Sequence, residues 1–173
     1  MKLFRNFINN QKGFTTFSSH ERGFTLIELL VVIGILAILL AITLIAINPA
    51  RQFSQANNTQ RSSDVNSILN AINQYMADNN GTPPTGITAT AALITDSGVA
   101  GTVDLCAALV PTYMADLPLD PTTGTESPTG SICTDALADY STGYNVSISA
   151  SNSRLTVIAP DTELGIPDIS VTR

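Results

Sequence analysis

The side chains able to do acid–base, nucleophilic or metal chemistry are unevenly distributed along this 173-residue chain. The single histidine, His20, and every lysine lie within residues 1–23. One glutamate, Glu28, lies inside a long apolar run and is the only ionisable side chain between Arg22 and Arg51. Because an ionised carboxylate is costly to place in hydrocarbon, Glu28 must have a specific partner or use.

The charge changes sign along the chain. Residues 1–23 carry four basic side chains and one acidic one, whereas residues 24–173 carry four arginines against thirteen acidic residues. If the front segment is removed, the remainder has neither Lys nor His, which excludes histidine bases, Ser-His or Cys-His pairs and histidine-bound metals. The acidic remainder also argues against nucleic-acid binding by the main domain, because neutralising phosphates requires clustered Lys and Arg.

The apolar run predicts a membrane span. No residue from Leu29 to Ala50 is charged, and a helix of this length is roughly 30 Å long, which matches the hydrocarbon thickness. A buried core helix is the alternative, but such helices rarely run this far without a polar face. Basic residues before the span and acidic ones after it place the N-terminus in the cytoplasm and the bulk of the chain outside.

The order of polar and apolar segments differs from that of an ordinary secretory signal, whose cleavage site follows its apolar region. Here a polar, basic leader ends in Gly23-Phe24, and the apolar run begins immediately afterwards. A cut between these two residues would leave the membrane helix at the start of the mature chain.

The stretch GFTLIELLVVIGILAILLAI resembles the prepilin signature of type IV pilins and related pseudopilins. The resemblance implies that Gly23 and Phe24 flank a prepilin peptidase cut, that the Phe24 amine is N-methylated and that Glu28 acts in filament assembly. The implied partners are further copies of the chain, the inner membrane before assembly, prepilin peptidase, the pilus assembly platform with its ATPase, and minor pilins. The implied location is a single-pass membrane precursor and then a cell-surface pilus.

A pairing between subunits explains the position of Glu28. Its carboxylate can meet the positively charged Phe24 amine of a neighbouring subunit, and only one axial offset satisfies such a pair. Desolvation cancels much of the net attraction, so the pair mainly fixes register. The alternative is a carboxylate that extends to the cytoplasmic headgroups.

The chain beyond the span predicts a helix packed on a small sheet. Asn48-Pro49 interrupts the first helix, and the next segment places Val65, Ile68, Leu69, Ile72, Tyr75 and Met76 on one helical stripe that ends near Asn79. Residues 81–140 are rich in Gly, Pro, Thr and Ser and predict loops with helical pieces at Ala89 to Ile94 and Leu105 to Leu109.

The runs GYNVSISA and RLTVIAP predict a β-hairpin around the turn residues Ser151-Asn152-Ser153. We expect a third strand between Ser131 and Tyr140 or just after Pro84. The predicted class is α+β, similar to the type IV pilin fold. Its expected divisions are a removed leader (1–23), a polymerisation helix (24–48), an amphipathic second half (49–80) and a head with antiparallel strands (81–173).

Two cysteines, Cys106 and Cys133, lie in the part expected outside the cytoplasm, where thiols tend to be oxidised. A disulfide between them is the preferred prediction, and it resembles the bridge that encloses a surface loop in many pilins. Free buried thiols are the alternative. A nucleophilic role is disfavoured, because no histidine base remains once the leader is removed.

No cofactor is predicted, but calcium is a weaker alternative. The run Leu-Pro-Leu-Asp-Pro between the cysteines resembles an Asp-Pro turn of major pseudopilins, where calcium can be bound. Asp116, Asp120, Asp135 and Asp139 could supply oxygen ligands. No EF-hand spacing is present, and Asp before Pro is common in turns.

The sequence therefore favours a structural protein over an enzyme: a major pilin of a type IV pilus, serving adhesion, motility or DNA uptake. The nearest alternative is a pseudopilin of a secretion or competence system. A membrane-anchored hydrolase is more remote, because no histidine would remain after removal of the leader.

Overall fold

The structure is a computed structural model that describes residues 23–96, 100–127, 132–133 and 139–173. The chain divides into two compact units between Ala46 and Ile47. The first contains nearly all of α1 (Leu26–Ile47), a helix with no buried residue. This 22-residue helix is about 33 Å long and is apolar enough to cross a membrane.

The second unit begins with α2 (Pro49–Asp78). Between the helices Asn48 has a left-handed backbone (φ 47°), and its side chain accepts a hydrogen bond from the Arg51 amide. The predicted interruption at Asn48-Pro49 is confirmed, and Pro49 occupies the first helical position, where its missing N–H leaves no helical bond unmade. The helix ends where predicted, with Asn79 as its C-cap.

The strands form one antiparallel sheet. They are β1 (Ala92–Thr95), β2 (Thr125–Ser127), β3 (Asp139–Ile148), β4 (Leu155–Ala159) and β5 (Ile169–Thr172), with a short helix α3 (Cys106–Leu109) before β2. The order is β1-β3-β4-β5, and β2 pairs with the beginning of β3. The predicted hairpin is β3 and β4, with Val146 opposite Val157.

The head core lies between α2 and the sheet. The predicted stripe is buried as expected: Val65, Ile68, Leu69 and Ile72 are fully buried, and Tyr75 and Met76 pack at its edge. The sheet contributes Tyr144, Val146, Leu155, Val157 and Ala159. The α+β prediction, with a pilin-like helix and sheet, is therefore confirmed.

Two local predictions are wrong. The segment Ala89 to Ile94 is not helical: its second half belongs to β1, because backbone pairing with β3 and burial of Ile94 outweigh the helix propensity of its alanines. No strand lies just after Pro84; β1 begins only at Ala92. Of the other expected range, residues 131 and 134–138 lie outside the described residues, and Asp139 and Tyr140 begin β3.

Candidate assembly and processing site

The residues expected to act in processing and assembly lie just before α1 and in its first turn. Thr25 precedes the first helical residue, and its backbone N–H and hydroxyl both donate to Oε2 of Glu28, at 2.8 and 2.9 Å. The Glu28 amide in turn donates to the Thr25 hydroxyl oxygen at 3.2 Å. This reciprocal arrangement is a capping box, which satisfies backbone donors that a helix start otherwise leaves unpaired.

Glu28 is therefore bound within its own chain, which the sequence analysis missed. The signal was available, because Thr-x-x-Glu before an apolar run is the sequence pattern of a capping box. Both bonds from Thr25 end on Oε2, and within the described part of the chain no donor reaches Oε1. One oxygen of the carboxylate thus remains for a partner from outside the described chain.

α1 offers an apolar surface on every side. All residues from Gly23 to Phe53 are exposed in the single chain, including Phe24 at 86%. An apolar helix that buries nothing in its own chain must bury its surface in lipid or against other chains.

The head contains an ionic site that the sequence analysis did not identify. Arg61 is fully buried, and its guanidinium donates to both oxygens of Asp120, at 2.6 and 3.0 Å. Its other donors reach Thr122, Asn58 and Glu163. All five N–H groups of the guanidinium are therefore used, which is the condition for burying such a charge.

This network affects the ionisation of its members. Burial opposes ionisation of Asp120, but hydrogen bonds from Arg61 and from the amides of Thr122 and Thr123 hold its pKa well below the usual carboxyl value. Hydrogen bonds from Ser54 and Asn57 lower the pKa of Glu163. A sequence signal existed, since Arg61 lies on the same helical stripe as Val65, at a spacing of four.

A second buried carboxylate, Asp64, has no cation bonded to it among the described residues. It accepts hydrogen bonds from the Tyr144 hydroxyl and the Gln60 amide, both at 2.8 Å. Burial raises the pKa of Asp64, although these two bonds partly offset the effect. Burial and the bond to Asp64 raise the pKa of Tyr144.

The residues considered for calcium are not gathered in one place. Asp120 is bound to Arg61, Asp116 accepts from the amides of Leu117 and Ile132, and Asp139 begins β3. Asp135 lies outside the described residues. In the described ranges no three His, Cys, Asp or Glu side chains are grouped to hold a metal ion.

The two cysteines are bonded in the structure. Cys106, the first residue of α3, and Cys133 form a disulfide with a Cα–Cα distance of 5.1 Å, within the usual range. The bridge joins α3 to Ile132-Cys133, whose isoleucine is buried in the core.

An exposed apolar helix of spanning length, a carboxylate in its first turn and an α+β head define a membrane-anchored protein whose helix seeks external partners. Residues 18–44 match the family model for the prokaryotic N-terminal methylation motif. The chain thus carries the class III signal of type IV pilins and pseudopilins, and the motif points to a structural protein. Neither a curated protein nor a solved structure matches this chain.

Proposed function

We propose that this chain is the major structural subunit of a type IV pilus, an extracellular helical filament used in adhesion, motility or DNA uptake. The observation that carries the proposal is the methylation motif at residues 18–44, overlapping a spanning-length helix with no buried residue. Such a helix can lie in the membrane as a precursor and later pack against copies of itself.

Processing precedes assembly in this proposal. Prepilin peptidase cleaves between Gly23 and Phe24, removing the leader 1–23, and the new Phe24 amine is methylated. The mature chain then consists of the polymerisation helix 24–48, the amphipathic helix 49–80 and the head 81–173. The exposure of Gly23 and Phe24 before α1 is compatible with access by a protease.

Glu28 sets the register of assembly. Thr25 donates two hydrogen bonds to Oε2 and so fixes the carboxylate at the helix start. Oε1 accepts a hydrogen bond from the Phe24 ammonium group of a neighbouring subunit. Two charges brought together in a water-poor interface attract strongly, whereas either one alone is penalised. A subunit with the wrong axial offset leaves both charges unpaired.

The proposed function implies the remaining partners. They are the inner membrane, the assembly platform and its ATPase, and minor pilins. The second unit, residues 47–173, has twelve acidic residues and four arginines, so we do not expect the head to bind nucleic acid directly. We assign no catalytic role, cofactor or metal to the chain.

The rival is a pseudopilin, whose short filament acts in protein secretion or DNA uptake across the envelope. The disulfide loop supports the pilus, as does the pairing of Asp120 with Arg61, which occupies the turn considered for calcium.

Electron microscopy of sheared surface filaments, with mass spectrometry of their main band, tests the proposal. We expect long filaments made of this chain, beginning at a methylated Phe24. A mature chain that retains Met1, or one that starts after Ala41, would exclude a pilin of either kind. A correctly processed chain without long surface filaments would favour the pseudopilin.

A further inference from the structure

Among the described residues after Ile47, three large apolar side chains are exposed. Phe53 is 71% exposed on the second turn of α2, and Leu164 and Ile166 are 48% and 43% exposed on the loop between β4 and β5. Among the described residues, the other exposed large apolar side chains lie in the segment from Phe24 to Ile47. A head that buries its core so completely elsewhere leaves these three for a contact outside the chain.

The loop that carries Leu164 is held firmly against α2. The Asn58 amide group donates to the Glu163 carbonyl and accepts from the Glu163 N–H, both at 3.0 Å. The Glu163 carboxylate accepts from Asn57 at 2.7 Å and from the buried Arg61. These bonds all end on Glu163, so they fix the loop at the residue next to Leu164.

Leu164 also has a backbone conformation that leucine rarely adopts, with φ at 65°. A left-handed leucine costs roughly 1 to 2 kcal/mol and persists only where the surroundings enforce it. Here the enforced conformation presents an apolar side chain to solvent. Such an outlier is a reason to consider a binding role.

Leu164 forms one wall of an open cavity of about 480 Å³. The other lining residues, Asn48, Ala50, Arg51 and Ser54, come from the start of α2. The lining has one charge, the Arg51 guanidinium, and Arg51 forms no ion pair within the described residues. The lining therefore combines an apolar wall, Leu164, with the polar side chains of Asn48 and Ser54 and one cation, Arg51.

An aromatic ring complements Leu164 and Arg51 together. Its face carries negative charge that attracts a guanidinium, while its carbon surface packs against leucine. Phe53 is the exposed aromatic side chain next to the cavity in sequence, yet at 71% exposure it does not fill the cavity of its own chain. Another copy presents the same ring at the same position.

The charge distribution favours a copy of the chain at this place. Residues 47–173 carry four arginines against twelve acidic residues, so two heads repel over most of their surfaces. From residue 47 to residue 60, however, Arg51 is the only charged side chain. A contact made through this stretch places no carboxylate of α2 against the neighbour, and the carboxylate beside Leu164, Glu163, is already bound to Asn57 and Arg61.

We infer that Phe53 of one subunit inserts into the Arg51–Leu164 cavity of the next subunit. The inference rests on the proposed function and names a head contact of the filament. The ring of one copy enters the cavity of another, so the contact is heterologous when each copy gives its ring to one neighbour and receives the ring of a different neighbour in its cavity. Heterologous contacts that do not close produce open helical filaments.

Cross-linking tests the contact in assembled filaments of the full chain. The double variant Phe53→Cys with Leu164→Cys is assembled and then oxidised, and its products are separated without reductant. We expect a ladder of covalent dimers, trimers and longer species, because every copy carries both halves. Either single variant should stay monomeric, and filaments mixed from the two singles should stop at dimers.

The control for random collision is the double variant Phe53→Cys with Ser170→Cys, whose second cysteine lies on the exposed face of β5. It should give no ladder.

The ring itself is tested by filament yield. Phe53→Tyr keeps the ring and should assemble normally, whereas Phe53→Ser should lower the yield roughly tenfold, as expected for an interface anchor. Both are exposed substitutions, so their processing and membrane levels should remain unchanged.

Three results would overturn the inference while leaving the pilus intact. They are filaments of the double variant without a ladder, a cross-link within one chain, and dimers from Phe53→Cys alone, which would indicate a two-fold contact. Normal assembly of Phe53→Ser would also overturn it. Failure of the proposed function looks different, because the unsubstituted chain would then form no filament.

Discussion

The two long helices of this chain differ in where their apolar and charged side chains find partners. α1 is apolar on all sides, buries nothing and carries one carboxylate at its start, whose described partner is Thr25. α2 buries its apolar stripe from Val65 to Ile72 against the sheet, and its Arg61 has every donor satisfied. Apart from the exposed Phe53 near its start, α2 thus completes its interactions within the chain, whereas those of α1 must be completed by lipid or by other chains.

The comparison separates two kinds of charged site. Asp120 and Arg61 form a pair that folding itself assembles, so its loss should appear as lost stability. Glu28 has a satisfied oxygen and an open one, so its loss should appear as lost assembly with the fold retained. If substitutions at the two sites do not separate in this way, the two kinds of site do not differ as described.

Glu28→Gln should have the largest effect. Gln can still accept the bonds from Thr25, since the capping box tolerates either residue, but it leaves the neighbouring Phe24 ammonium without a counter-charge. We expect membrane insertion and cleavage to survive and surface filaments to be nearly absent. Filament yield and N-terminal sequencing of the membrane pool measure both effects.

Thr25→Ala is the matched control, because it removes the capping hydroxyl and keeps the charge. It should weaken the helix start by roughly 1 kcal/mol and leave most filaments intact. Wild-type filament yield from Glu28→Gln would show that the charge of Glu28 does not govern assembly.

Asp120→Ala should be the most destabilising substitution in the head. It leaves the fully buried Arg61 without its main counter-charge, a change that typically costs about 3 to 5 kcal/mol. Urea unfolding of the full chain in detergent micelles measures it. Asp168→Ala, an exposed carboxylate on the loop before β5, should change the free energy of unfolding by less than about 0.5 kcal/mol.

Replacing both partners distinguishes an unpaired charge from lost packing. Arg61→Met with Asp120→Leu should be more stable than Asp120→Ala alone, because no buried charge is left uncompensated. Equal loss in the single and double variants would mean that the pair acts through shape rather than charge.

Much of the fold was predictable because its signals are local. The apolar run, the stripe from Val65 to Ile72 and the β3–β4 hairpin depend on spacing within short segments. By contrast, β1 takes its conformation from β3, some fifty residues later, so the alanines near Ala92 misled the helix prediction. Strands β2 and β5 are four residues or shorter, and their pairing with distant strands leaves little local pattern.

The candidate sites differ in the same way: sites with a local sequence signal could be predicted, whereas a pair formed by distant segments could not. Glu28 stands out in sequence because its surroundings lack any other charge, and the cysteine pair follows from there being only two. The Arg61–Asp120 pair joins residues 59 positions apart, and no pattern in either segment indicates its partner. Arg61 can be recognised as an anomaly on an apolar stripe, but its partner is known only from the folded chain.

The disulfide should have a smaller effect than loss of Asp120. It closes a loop across a sequence separation of 27, which corresponds to about 3.5 kcal/mol by loop entropy. We expect Cys106→Ser with Cys133→Ser to lower the urea midpoint and to leave α2 and the β3–β4 hairpin folded. Intact-mass analysis of the unreduced wild-type chain should be about 2 Da below the reduced form, since a disulfide forms by loss of two hydrogens. Two freely alkylated thiols would disprove the bridge.

Asp64 should give the smallest effect, and one that depends on pH. Because burial raises its pKa in the folded state, the folded chain binds this proton more tightly than the unfolded chain. The contribution of Asp64 to stability is therefore full below the unfolded pKa and is lost as pH rises through the folded one. Asp120 has the opposite sign, since its pKa is lowered and its contribution is lost only on strong acidification.

Asp64→Asn isolates this contribution because all other titrating groups, including the nearby Asp120, Arg61 and Tyr144, are shared with the wild type. Asparagine can still accept the Tyr144 hydroxyl, so the fold should be retained. Relative to the variant, the wild type should lose stability as the pH rises above the ordinary aspartate pKa of about 4 and through the raised pKa of Asp64 in the folded chain. Urea unfolding at a series of pH values measures the difference. Parallel curves for the two proteins would mean that Asp64 has the same pKa in the folded and unfolded chains. Burial against the core would then not raise the pKa of this carboxylate.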